Sequence, residues 1–312
     1  MSSNPLSGYY YVTPTELDGI ATAIQLKTGV SDDLTYPNSY ISALAGTGGI
    51  TQEALDYIAG DISVLSVSGL TSIKSYAFNY HSTLEIVNLP DVTNIGSTTF
   101  QGCTNLSQVI LPNCSAVNAY LFASCTSLLS VSFPNCYSIG ENAFNGCTNL
   151  STIYFPAVSY VGYGAFQNCT NLSEANFSAL KSSTNYVFYN CFALSNVSLS
   201  MCTGIGQLTF GNCSSLTSIN LPSASYVSFQ AFVGCRSLSI VELPYCTYIS
   251  MYAFQNCYNL LSLYLTGSMC TLGHSLAFLS TPIAGYTTYT DGVYGSIFVP
   301  ASLYNDYISA TN

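Results

Sequence analysis

Apolar side chains recur along this chain every 22 residues. Phe78, Phe100, Phe122, Phe144, Phe166, Phe188, Phe210, Phe232 and Phe254 keep that step without a slip, and so do the leucines from Leu84 through Leu106 and Leu128 to Leu260. Within one unit, Leu106, Val109 and Leu111 are followed by Cys114, and the next unit repeats this as Leu128, Val131, Phe133 and Cys136. The alternation puts Val109 and Leu111 on one face of a short strand and turns Gln108 and Ile110 to the other. Ten such strands can be counted, from Ile62-Leu65-Val67 to Leu260-Leu263-Leu265. Strands of successive units should pair in parallel about 4.8 Å apart, giving a sheet roughly 45 Å long. A period that tolerates no insertion predicts a solenoid, with each unit one coil and equivalent residues stacked in columns.

Proline follows the strand at Pro90, Pro112, Pro134, Pro156, Pro222 and Pro244. It has no N–H for a ladder and ends the strand there. An apolar residue and glycine come next, as in Ile95-Gly96, Ile139-Gly140, Val161-Gly162 and Ile205-Gly206. Such a glycine suits either positive φ or close packing between coils. The phenylalanine column lies on the return segment and should fill the space between the walls of the coil. One unit departs from the pattern. Between Leu172 and Leu194, Ala175 replaces a branched residue, Ser178 replaces proline and Ser183-Thr184 replace the apolar–glycine pair, with Lys181 nearby. This is either drift in a tolerant coil or a local bulge that shapes a surface.

The ends read differently. Thr13, Pro14 and Glu16 form a helix start, Leu17, Ile20, Ala21 and Ile24 an apolar face, and Gly29 a stop, so a helix is expected over 13–28. Shorter helices are expected around Tyr40–Leu44 and over Gln52–Ala59. The expected organisation is a helical N-terminal cap or attachment segment over 1–60, the repeat array over 61–279 and a C-terminal cap over 280–312. Capping is needed because a solenoid exposes the apolar face of its terminal coils.

The unit L-x-x-V-x-L-P-x-x-x-x-I-G-x-x-A-F-x-x-C, seen well in Ser138–Cys147 and Val161–Cys169, closely resembles the BspA-like leucine-rich repeat. The resemblance covers about 62–278. It implies a β-rich solenoid: a right-handed leucine-rich-repeat superhelix with a parallel sheet and a small helical N-terminal cap. It also implies a bacterial surface or secreted protein concerned with adhesion and protein binding. The segments Glu16–Ile24, Lys27–Gly29 and Leu34–Pro37, and at the other end Thr281–Ile283, Gly295–Leu303 and Tyr307–Asn312, resemble modules of tail and prophage proteins of Gram-positive bacteria and caps found after such repeats in gut bacteria and their phages.

Composition narrows the function. Lys and Arg number four against fourteen Asp and Glu, for a net charge of −10. Nucleic-acid binding needs a basic stripe, which is missing here. No apolar run reaches transmembrane length, so membrane insertion is not expected. Met1-Ser2-Ser3-Asn4-Pro5 does not read as a secretion signal. The expected location is extracellular, on a cell surface or on a phage particle, reached after signal removal or by another route. Thirteen cysteines are present, eight of them in one column from Cys103 to Cys257, four more at Cys114, Cys136, Cys202 and Cys246, and Cys270 outside the pattern. Repeat register explains the twelve. Parallel Cβ vectors nearly 5 Å apart are too wide for a disulfide, so reduced, buried thiols are expected. Paired C-x-x-C ligands are missing, and no metal or cofactor is expected. His81 occupies a cysteine position, which favours a structural role. No G-x-S-x-G, triad or nameable carboxylate pair appears, and no enzyme is expected.

What remains is a surface of Ser, Thr, Asn and Tyr, the last numbering 26. Tyrosine gives a rigid contact body with a polar tip. The candidate binding residues are the outward residues of the strands, expected to line up: Gln108, Ser130, Thr152, Tyr154, Glu174, Asn196, Asn220, Glu242 and Tyr264. Tyr154 and Tyr264 are the expected anchors. The row holds no cation and suits neutral or basic partners. The favoured reading is a non-enzymatic binding or adhesion module for a host or bacterial surface protein or glycan. The alternative is a structural component of a phage tail or bacterial surface assembly without a specific soluble ligand.

Overall fold

The computed structural model describes residues 63–66, 69–284 and 295–310. The expected helices at 13–28, 40–44 and 52–59, and Ile62 and Val67 of the first strand, lie outside these. Among the described residues, each coil has three walls. The strand wall is a three-residue strand such as Gln108–Ile110, and the second wall a two-residue strand such as Ala116–Val117. The return wall is a run of turns carrying the phenylalanine.

On the strand wall all pairing is parallel and mostly in a 22-residue register, as in Gln108↔Ser130 and Glu174↔Asn196. The inward residues Val87, Val109, Ile153, Ile219, Val241 and Leu263 are buried. Among the described residues eleven strands form this wall, one more than expected, because Ser296–Phe298 of the C-terminal segment pairs with Ser262–Tyr264. The wall is not one continuous ladder. It divides into panels of four, three and four strands, with seams between 130–132 and 152–154 and between 196–198 and 218–220. Leu111 and Phe155 donate their N–H to the next coil, whereas Phe133 and Leu199, at the seams, make no such bond. Val131 and Val197 at the seams are only partly buried.

The second wall, which sequence reading passed over, is made, among the described residues, of three short sheets of two, three and four strands. Its two-residue strands pair in parallel, as in Ser138–Ile139 with Tyr160–Val161 and Tyr226–Val227 with Tyr248–Ile249. Glycine closes this wall by close approach rather than by positive φ. A Cβ on Gly140 would lie 2.6 Å from the Ala119 nitrogen, and one on Gly162 would lie 2.5 Å from the Glu141 nitrogen.

The return wall is unbroken. At every junction from Phe78 to Phe254 the phenylalanine N–H donates to a carbonyl of the next coil at 2.8–3.0 Å, and the residue two further on does the same at 2.7–3.0 Å. The rings stack at 5.1–5.8 Å and within 17° of parallel. Phe278, 24 residues after Phe254, continues the stack at 5.5 Å. The cysteine column is more than a set of small apolar residues. Each thiol from Cys103 to Cys257 donates to the phenylalanine carbonyl of the preceding coil at 3.0–3.2 Å. Burial pushes the Cys103 and Cys169 thiols up to about 12, far from the thiolate form that reacts. All thirteen cysteines are free and buried. Cys270, outside the sequence pattern, sits beside Cys246, and the neighbouring thiol together with burial pushes it up.

Chain reversal on the return wall uses two columns of positive φ. Gly102, Gly146, Asn168, Asn190, Asn212 and Gly234 belong to one, and Tyr76, Thr98, Tyr120, Asn142, Tyr186 and Tyr252 to the other. Asn and Gly tolerate this region. The asparagines also bond to one another, Asn145 to Asn142, Asn168 to Asn145, Asn190 to Asn168 and Asn212 to Asn190, at 2.9–3.2 Å. The unit between Leu172 and Leu194 holds no strand bulge: Glu174–Asn176 pairs in register on both sides. Ser183 keeps the second wall together by a single bridge to Val161, and its hydroxyl oxygen accepts the Gly206 N–H at 2.9 Å.

Candidate binding surface

The strand wall presents two outward columns, set by the pleat. Register puts Gln108, Ser130, Thr152, Glu174 and Asn196 in the first. The second holds Tyr154, Asn220, Glu242 and Tyr264. The nine candidates thus form two adjacent rows rather than one line. Eight of the nine are exposed. Tyr264 is half-buried because the Phe298 ring of the C-terminal strand stacks on it at 4.5 Å and 10°. That contact was not visible in the repeat pattern, since Phe298 lies 34 residues downstream rather than 22.

Tyr154 stands out, at 71% exposure. It borders the first seam, across which Leu129 is also exposed. Its partner in the adjacent strand is Asn176, whose Oδ1 is buried and has no hydrogen-bond partner. A buried acceptor without a donor is costly. On the same wall, the hydroxyls of Ser107, Ser173, Ser195 and Ser239 donate to carbonyls of the preceding coil at 3.0–3.3 Å, and so brace the strand starts. The charged groups among the strand residues are Glu174 and Glu242, so the face is neutral to acidic.

Most exposed tyrosines lie elsewhere, which reading tyrosine as a strand-face residue missed. Tyr137, Tyr160, Tyr226 and Tyr248 are exposed along the second wall, and Tyr76, Tyr80, Tyr120 and Tyr163 on the return wall. Their offsets within the 22-residue unit carried that information, but assigning it needed the second sheet. Among the described residues, no group of three or more His, Cys, Asp or Glu is placed to hold a metal ion. No described helix is long and apolar enough to cross a membrane.

Residues 71–191 and 181–293 match the family described as BspA type Leucine rich repeat region, in six copies. The chain is similar to a leucine-rich repeat protein of Bacteroides ovatus known from a crystal structure. Identity is 30%, the TM-score is 0.54, and the match covers 66% of this chain and 61% of that protein's length. It also resembles a leucine-rich repeat protein of T. pallidum at 26% identity and a TM-score of 0.46, over 50% of this chain and 79% of the other. No protein of curated function matches.

Proposed function

Because the chain belongs to the BspA-type leucine-rich repeat family, we propose that it is a binding or adhesion module without catalytic chemistry, which recognises a protein or glycan through its strand wall. The observation that carries this reading is Tyr154, projecting from the middle panel beside the unpartnered Asn176 Oδ1. Tyrosine is among the side chains that dominate recognition energy in protein interfaces. The absence of cations among the strand residues directs the face toward neutral or basic partners. Placement outside the cell or on a phage particle, a right-handed superhelix and a helical N-terminal cap belong to the same proposal, as does kinship of the ends with phage tail modules.

The test is surface plasmon resonance with purified extracellular-matrix proteins and immobilised glycans against the wild type, Tyr154→Ala and Asn176→Ala. Loss of binding in both variants, with unchanged melting temperature, supports the strand wall. Binding that survives both changes contradicts it.

A further inference from the structure

The return wall carries a row of outward residues that no core or capping role accounts for: Glu141, Tyr163, Asn185 and Gln207, each 22 residues from the last. The carbonyls of Glu141, Tyr163 and Asn185 are acceptors in the unbroken return ladder, at 2.8, 2.8 and 3.1 Å. Their backbones are therefore fixed one coil apart while their side chains face outward; Tyr163 is 43% exposed.

The side chains are also held. The Tyr120 hydroxyl donates to Glu141 Oε1 at 3.0 Å, and the Asn142 amide donates to the Tyr120 hydroxyl at 3.1 Å and to Glu141 Oε1 at 3.3 Å. That network occupies one carboxylate oxygen and leaves Oε2 without a partner among the described residues. Tyr163 packs at 5.0 Å on Tyr186, which supports one side of its ring. The Asn185 Oδ1 accepts the Gln207 N–H at 2.9 Å, which fixes the amide and leaves its NH2 as an outward donor. The row therefore reads carboxylate acceptor, aromatic face, amide donor and amide, with no cation.

We infer that this row is a carbohydrate-binding strip for a neutral, extended oligosaccharide. A sugar ring offers an apolar face to stack on Tyr163 and hydroxyls to donate to Glu141 Oε2 and accept from Asn185. Stacked rings of successive coils on this wall lie 5.1–5.8 Å apart, close to the advance of one pyranose in an extended β-linked chain, so successive sugars meet successive coils. A proline-rich peptide also stacks on aromatic rows, but it has no hydroxyl hydrogens for the open carboxylate oxygen, which favours the sugar.

The experiment is isothermal titration of the whole chain with cellohexaose, xylohexaose, mannohexaose and the hexamer of N-acetylglucosamine, and separately with a decaproline peptide. At least one oligosaccharide should bind. Tyr163→Ala should weaken it about tenfold or more, as expected for loss of a stacking anchor. Tyr163→Phe should retain it and Glu141→Gln should reduce it. Tyr154→Ala on the strand wall should leave it unchanged, so this site and the strand-wall site stand or fall separately. Tyr163 and Glu141 are exposed, and circular dichroism should show both variants folded. The inference is overturned if no oligosaccharide binds at millimolar concentration, if Tyr163→Ala binds as the wild type does, or if only decaproline binds.

Discussion

The return wall and the strand wall come from the same coils and are held together in different ways. Between Phe78 and Phe254 the return wall repeats every bond at each junction: two N–H donors per coil, a stacked ring and a thiol on a carbonyl. The strand wall breaks twice. The difference teaches how a solenoid can be both rigid and variable. One wall carries the repeated interactions that set the spacing of the coils. The other is then free to accept Gln, Ser, Thr, Glu or Asn at the same position without loss of register.

The largest expected effect is alkaline. The Cys103 and Cys169 thiols rise from 9.0 to about 12 on folding. The native state therefore holds protons that the unfolded chain gives up between those values. Stability is intact below pH 9 and falls as pH rises toward 12, by about 4 kcal/mol for each thiol shifted by three units. Urea titrations at pH 8 and 10.5 should show a large drop in midpoint. An unchanged midpoint would mean that the return-wall thiols are not sealed.

Next comes the ring stack. Phe144→Ala removes a fully buried ring and should cost about 3–5 kcal/mol. Tyr154→Ala on the strand wall should stay within about 0.5 kcal/mol. Similar losses in the two variants, measured by chemical denaturation, would erase the contrast between the walls.

Two glycines of one coil sharpen it further. Gly140→Ala forces a Cβ to 2.6 Å from the backbone nitrogen of Ala119, and an overpacked site of this kind costs roughly 1–3 kcal/mol. Gly146 has φ +76° but no neighbour nearer than 3.6 Å to an added Cβ. Gly146→Ala should cost about 1 kcal/mol from backbone conformation alone. The reverse order in melting temperatures would show that coil spacing is softer than described.

Legibility from sequence followed the same division. The Phe, Leu, Val and Cys columns were readable because the return wall and core keep one period from Phe78 to Phe254. The positive-φ column with Gly and Asn was readable in principle. Its companion was not, because Tyr76, Thr98 and Tyr120 give no hint of left-handed backbone. The second wall escaped because two-residue strands are too short to alternate. Phe278 and the strand at 296–298 escaped because spacings of 24 and 34 residues leave the period. The candidate residues were correctly turned outward by alternation. Alternation could not separate the two columns, and it could not foresee Phe298 covering Tyr264.

Native-state hydrogen exchange tests the account most directly. The amides of Phe100, Phe122, Phe144, Phe166, Phe188, Phe210 and Phe232, all donors in the return ladder, should be among the slowest, approaching global unfolding. The amides of Phe133 and Leu199 at the two seams of the strand wall should exchange markedly faster. If Phe133 and Leu199 are protected as strongly as Phe122 and Phe188, the strand wall is as continuous as the return wall, and the division of labour between them is wrong.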